Sequence, residues 1–303
     1  MRLPAAIDAL RPGQWVKNLL VFAGLVFALP DRNQGVDPVA AGLRTLAAAA
    51  LFAVVSGAVY LLNDVHDAPR DRLHPEKRRR PVASGRISPR AALAECTLLI
   101  AAVAALAPRL GRTFALVLGG YLALQLAYTF ALKRVPVVDA FCVAGGFALR
   151  VWAGVAAAGV ALAPDILICT FFGATFLAIC KRVSELAELG SLEAAVAHRP
   201  VLLHYAPPFT RALSILCSAG ATFAAYAAWA LSPYTAAKFG TRGMALTLPF
   251  VLFGLARYVR LTVRGKCGRP ERVFTRDLPL LADLVLYAAV CAAVWLRARA
   301  AGA

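Results

Sequence analysis

Residues 63–86 read NDVHDAPRDRLHPEKRRRPVASGR. The stretch holds four acids (Asp64, Asp67, Asp71, Glu76) and seven Lys or Arg, between apolar runs near 40–62 and 90–108. Around it the chain is 60% hydrophobic, with a mean hydropathy of +0.69. Soluble domains have about 45–50% apolar residues. A helix crossing a bilayer core needs roughly 17–25 predominantly apolar residues. Nine stretches are about that long, near 15–31, 40–62, 90–108, 112–132, 138–160, 164–181, 209–231, 243–261 and 278–297. The expected fold is therefore an all-α integral membrane bundle of about nine transmembrane helices. It forms a single polytopic domain over 1–303, with polar loops near 63–89, 133–139, 182–208 and 262–277.

The net charge of +17 would point to nucleic acid in a soluble protein. Its placement points elsewhere. With the N-terminus inside and nine alternating spans, the inside segments hold 24 Lys or Arg and the outside segments 8, with Arg150 inside a span. The positive-inside rule then predicts a cytoplasmic N-terminus and places those four loops on the cytoplasmic face. Part of the excess suits anionic lipid. The expected setting is a membrane, with the bilayer as a partner and no nucleic acid. Residues 1–14 show no cleavable signal pattern, so the first span is expected to stay. The seven cysteines form no C-x-x-C pair and read as small apolar packing residues.

Asn63, Asp67 and Asp71 are spaced i, i+4, i+8, with Asp64 one position round. On a helix prolonged past the membrane edge they share a face, although Pro69 argues against an unbroken helix to Asp71. Oxygen ligands on one face suit Mg²⁺, which completes its shell with water and substrate phosphate. They equally suit a solvated, salt-bridged helix end. The following Lys77, Arg78, Arg79 and Arg80 read either as phosphate ligands or as topogenic charge. His74 reads as a packed loop histidine and His66 has no assigned role.

Further polar residues fall near the same predicted membrane face. They are Arg11, Trp15, Lys17 and Asn18 at the first span; Tyr128, Lys133 and Asp139 about the turn near 133–139; and Arg150 deeper in the next span. Lys181, Arg182, Glu185 and Glu188 follow, then Arg257, Arg260, Arg276 and Asp277. Ionisable residues at membrane depth are functional candidates by default. For Lys181, Arg182, Arg257 and Arg260 the competing reading is snorkelling. For Asp139 and Arg150 it is a structural ion pair within the bundle.

Several strings carry a resemblance: RPGQWVKNLLVFA (11–23), YLLNDVHDAPRDRLHPEKRRRPVASGRIS (60–88), LKRVPVVDAFCVAGGFALRVWAG (132–154), CKRVSEL (180–186) and RYVRL with RPERVFTRDLPLL (257–281). Together they resemble the UbiA superfamily of intramembrane prenyltransferases, and within it the decaprenyl-phosphate phosphoribosyltransferase branch. The aromatic prenyltransferases of the superfamily carry a second D-x-x-x-D. Here Val143 stands four residues after Asp139. The resemblance implies transfer of 5-phosphoribose from phosphoribosyl pyrophosphate to a polyprenyl phosphate, towards lipid-linked arabinose. In that reading Asn63, Asp67 and Asp71, with Asp64, hold Mg²⁺. Lys77, Arg78 and Arg80 bind donor phosphates, and Lys17 and Asn18 meet donor or acceptor. Tyr128, Lys133, Arg150 and Lys181 complete substrate binding. Asp67 and Asp139 are the catalytic pair, Asp139 facing the developing oxocarbenium centre. A homo-oligomer is compatible with this reading. The alternatives are prenyl transfer from a prenyl diphosphate to an aromatic acceptor, and a transporter or lipid-binding protein.

Overall fold

The computed structural model describes residues 4–28, 37–72, 77–189, 191–194, 199–268 and 270–301. His74 and Glu76 lie outside them. The described residues contain helices and no strands. Eight helices are long and apolar enough to cross a bilayer. They are numbered here α1 (Pro38–Asp71), α2 (Pro89–Leu106), α3 (Arg112–Phe130), α4 (Val138–Ala158), α5 (Pro164–Glu188), α6 (Pro208–Leu231), α7 (Leu248–Val263) and α8 (Leu278–Ala301). Short 3-10 stretches extend α2 to Leu110 and begin the α7 span at Gly243. The chain is a multi-span membrane protein.

The first of the nine expected spans differs. Pro12–Phe22 is a 3-10 helix, followed by a short α-helix at Ala23–Ala28, and residues 29–36 lie outside the described part. Close packing accompanies this tighter coil. A Cβ at Gly154 would lie 1.7 Å from the Val21 carbonyl oxygen, so only glycine lets these backbones approach.

Helix α1 also departs from expectation. It runs unbroken through Pro69 to Asp71, 34 residues in all. Proline there removes one N–H near the helix end, and Arg72 N–H still reaches the Ala68 carbonyl at 3.1 Å. The helix begins cleanly, with Pro38 in its first turn and the Asp37 side chain accepting from Val39 N–H at 2.9 Å. At 1.5 Å per residue it is about 51 Å long, against about 30 Å of hydrocarbon. Its apolar run ends near residue 62, so residues 63–71 project past the membrane edge.

The chain forms two compact units. The first comprises Met1–Phe130 and Gly146–Ala163, the second Ala131–Gly145 and Pro164–Ala303. In the first, α1 packs along α2, and Val21, Phe52, Phe114, Tyr121 and Ala153 share one core. In the second, α5 packs along α6, around Phe176, Ile179, Tyr205 and Tyr258. All seven cysteines are free thiols.

Candidate functional site

The projecting end of α1 gathers the polar groups of the first unit. Asp64 is 1% exposed. One oxygen, Oδ1, accepts from Arg11 in a short ion pair and from Arg80 at 3.3 Å. Arg80 also donates to Asp71 Oδ2 at 2.6 Å. Asp64 and Asp71 are seven residues apart, two helical turns, so one guanidinium spans both. The other Asp64 oxygen, Oδ2, is buried without a hydrogen-bond partner among the described residues. A buried, unsatisfied carboxylate oxygen is costly and calls for a ligand.

Arg11, a candidate by its place at the first span, had no assigned role in the site. It has a left-handed backbone, φ 52°, a conformation that costs a non-glycine residue about 1–3 kcal/mol. Its guanidinium lies 4.8 Å from the centre of the Tyr60 ring. Burial pulls its pKa below the usual arginine value, with Asp64 opposing. The RPGQWVKN string contained it, but nothing in sequence spacing links position 11 to position 64.

Asn63 and Asp67 are half-buried on the same helix end, and Asn63 Oδ1 accepts from Thr129 Oγ1 at 2.6 Å. Lys77 is half-buried, whereas Arg78 is exposed. Tyr128 is half-buried on α3. Lys17 is exposed and helps line a shallow apolar groove with Val16, Leu19, Leu20, Phe22 and Val26.

Arg150 is buried in the first unit, where its hydrogen bonds go to neutral groups. Its Nε donates to Asn18 Oδ1 at 3.0 Å. Its two Nη atoms reach the Gly146 carbonyl at 2.9 Å, the Tyr121 hydroxyl at 2.8 Å and Ser56 Oγ at 3.4 Å. The rings of Phe52, Tyr121 and Phe147 surround it at 4.8–5.7 Å. Four of its five N–H donors are thereby engaged, and the π faces offset the charge. Arg150 and Asn18 thus hold each other, fastening the 3-10 segment to α4.

The second unit has its own buried acid. Asp139 lies in the first turn of α4 and is fully buried. Its Oδ2 accepts from Arg182 Nε at 2.8 Å, and Arg199 Nη1 stands 3.6 Å away. Its counter-ions are therefore Arg182 and Arg199, not Arg150. Arg182 is itself only 5% exposed and also reaches Glu185 at 3.3 Å. Lys181 pairs with Glu185 at 3.7 Å, one turn on. Burial, then Asp139, pushes the Tyr205 hydroxyl up to about 12, so it is a neutral phenol here. Val137, just ahead of α4, has φ 66°, an outlier for a β-branched residue. Lys133 is half-buried in the preceding turn.

Among the described residues, no three His, Cys, Asp or Glu side chains are gathered closely enough to hold a metal by themselves. Mg²⁺ does not require such a cage, because it keeps water and substrate phosphate in its shell. The unused Oδ2 of Asp64, with Asn63, Asp67 and Asp71 on the same helix end, fits a cation held in that partial way.

Comparison with known proteins gives a consistent answer. The model of the UbiA prenyltransferase family matches residues 19–281. The decaprenyl-phosphate phosphoribosyltransferase of Mycobacterium tuberculosis is 36% identical over 294 residues, 95% of this chain and 93% of that protein. The protein of the same name from Corynebacterium glutamicum is 36% identical over 281 residues, 89% of this chain and 80% of its own. A solved UbiA homolog from Archaeoglobus fulgidus, bound to DMAPP and Mg²⁺, shares the fold: TM-score 0.65, 22% identity, 96% of this chain and 98% of that one covered. The chain is a transferase and belongs to the UbiA prenyltransferase family.

Proposed function

We propose that the chain transfers 5-phosphoribose from phosphoribosyl pyrophosphate to a polyprenyl phosphate, releasing pyrophosphate, as a step towards lipid-linked arabinose. The reaction takes place at the cytoplasmic face of the bacterial inner membrane, with the N-terminus inside. One observation carries this reading: Asp64 keeps one carboxylate oxygen unused while two arginines from outside α1 hold the other. The substrates are supported by relatives with that activity in their names, 36% identical over most of the chain.

Asp64, Asp67, Asp71 and Asn63 would hold Mg²⁺, which when bound neutralises the leaving pyrophosphate. The chain's own groups bind and orient. Lys77 and Arg78 take donor phosphates. Arg80 does so by changing partner from its two aspartates, which its position outside α1 permits. Lys17, an exposed cation on an apolar groove, suits the phosphate end of a prenyl chain. The acceptor phosphate is already ionised, so its attack on ribose C1 needs no strong base. Arg150 acts as a positioning residue, holding Asn18 and the segment that carries Lys17. Asp139, enclosed by arginines, keeps the start of α4 in place.

The test uses purified protein with Mg²⁺, polyprenyl phosphate and donor labelled in the ribose. Label should move into the organic phase, and that transfer should vanish with EDTA and in Asp67→Ala. Full activity of Asp67→Ala would remove that residue from the metal set. Product formed instead from geranylgeranyl diphosphate and an aromatic acceptor would replace the donor assignment with prenyl transfer.

A further inference from the structure

The second unit contains a cavity of ≈ 250 Å³, apart from the acid–arginine centres. Phe176, Phe250, Tyr258, Phe274 and Tyr287 line it, and Asp283 stands among them. Asp283 lies on α8, within a stretch otherwise apolar enough to cross the bilayer. It is 8% exposed, and among the described residues it has no hydrogen-bond or ion-pair partner. Gly254 on α7 leaves room for it: a Cβ there would sit 3.2 Å from Asp283 Oδ2.

A solitary carboxylate in apolar surroundings at membrane depth is costly, and such a residue marks a functional site by default. The surroundings indicate what offsets that cost. Aromatic faces attract cations. The rest of the lining, Thr222 apart, is apolar and suits a hydrocarbon or aryl body. Leu284 lines the cavity and is 40% exposed on α8, so the cavity meets the lipid-facing surface there.

We propose that this cavity binds an amphiphile carrying a primary ammonium, its nitrogen paired with Asp283 and its apolar body against the aromatic wall. A free lipophilic amine and the headgroup of phosphatidylethanolamine share that chemistry.

The experiment compares 3-phenylpropan-1-amine with its uncharged isostere 3-phenylpropan-1-ol, by calorimetric titration and thermal unfolding of the whole protein in phosphatidylcholine nanodiscs. The amine should bind at least about tenfold more tightly, a difference of about 1.4 kcal/mol, and should raise Tm with concentration. Asp283→Asn should reduce the amine to the level of the alcohol. Gly173→Leu fills the cavity and leaves Asp283 in place. The first added carbon has room, its nearest neighbour being Thr222 Cγ2 at 3.9 Å. This variant should bind neither probe. Equal binding of amine and alcohol to the unaltered protein would overturn the proposal. So would a surviving amine preference in Asp283→Asn or, should that variant fail to fold, in Gly173→Leu. Repeating the titration with phosphatidylethanolamine in the disc separates the sources: a weakened amine response identifies the lipid, an unchanged one the free amine.

Discussion

Asp64 and Asp139 are both buried, and each leaves one oxygen without a hydrogen-bond partner among the described residues. They differ in what holds them. Asp64 is held by Arg11 and Arg80, which come from outside α1 and are 26% and 27% exposed. Its surroundings add further acids on the same helix end. Asp139 is held chiefly by Arg182, which sits on α5 and is 5% exposed. A guanidinium on a flanking segment, partly in water, can exchange a carboxylate for a phosphate at modest cost. One fixed to a helix and desolvated cannot, because leaving its partner exposes an uncompensated buried charge. The first arrangement suits ligand exchange and the second suits architecture.

The largest effect should come from breaking the second pair. Arg182→Ala strands a fully buried carboxylate, a loss of about 3–5 kcal/mol. Thermal unfolding in detergent should show a large fall in Tm, or no folded protein should accumulate. If Arg182→Ala folds normally while losing activity, the two aspartates have been assigned the wrong way round. Next comes Asp64→Asn, which keeps shape and burial but removes the charge. Transfer should fall on the order of 100-fold or more, while Tm changes little, and added Mg²⁺ should not restore activity. A collapse in stability instead would give Asp64 the architectural role.

Gly154→Ala tests the scaffold beneath the first centre. Its new Cβ meets the Val21 carbonyl oxygen, so backbone must shift, at a cost of about 1–3 kcal/mol. Activity should suffer along with Tm, since the displaced segment carries Asn18 and Lys17. The smallest effect belongs to Asp277, outside the long helices. The bidentate Arg257 pair, at 2.8 and 3.0 Å, holds its carboxyl below the usual aspartate range. Its contribution is therefore present above the unfolded aspartate pKa and is lost as pH falls through the lower folded one. Asp277→Asn should lower Tm slightly at neutral pH, leave it unchanged at low pH, and so flatten that acid limb of the Tm–pH curve.

Much of the bundle was legible in the chain. The apolar runs matched eight of the long helices, and the polar interruption at 63–86 marked where α1 leaves the membrane. Near 15–31 the described residues coil as a 3-10 helix and a short α-helix, a form that hydropathy does not foretell, because it does not register a backbone approach such as that of Val21 to Gly154. Pro69 misled, since a proline near a helix end removes only one donor. Within the site, the i, i+4, i+8 spacing drew attention to Asn63, Asp67 and Asp71. The closest arginine contacts fall on Asp64 and Asp71, a pairing set by where Arg80 stands.

Membrane crossing is a requirement on consecutive residues, met or failed within about 20 of them. The sequence by itself therefore determined the helical class, the near count of spans and the segments where charge collects. Charge neutralisation is a requirement on space. Arg11 reaches Asp64 across 53 positions, Arg182 reaches Asp139 across 43, and Arg150 reaches Asn18 across 132. Only the tertiary structure decided which aspartate is enclosed by a helix-borne arginine, which is held from flanking segments, and which, at 283, has no partner among the described residues.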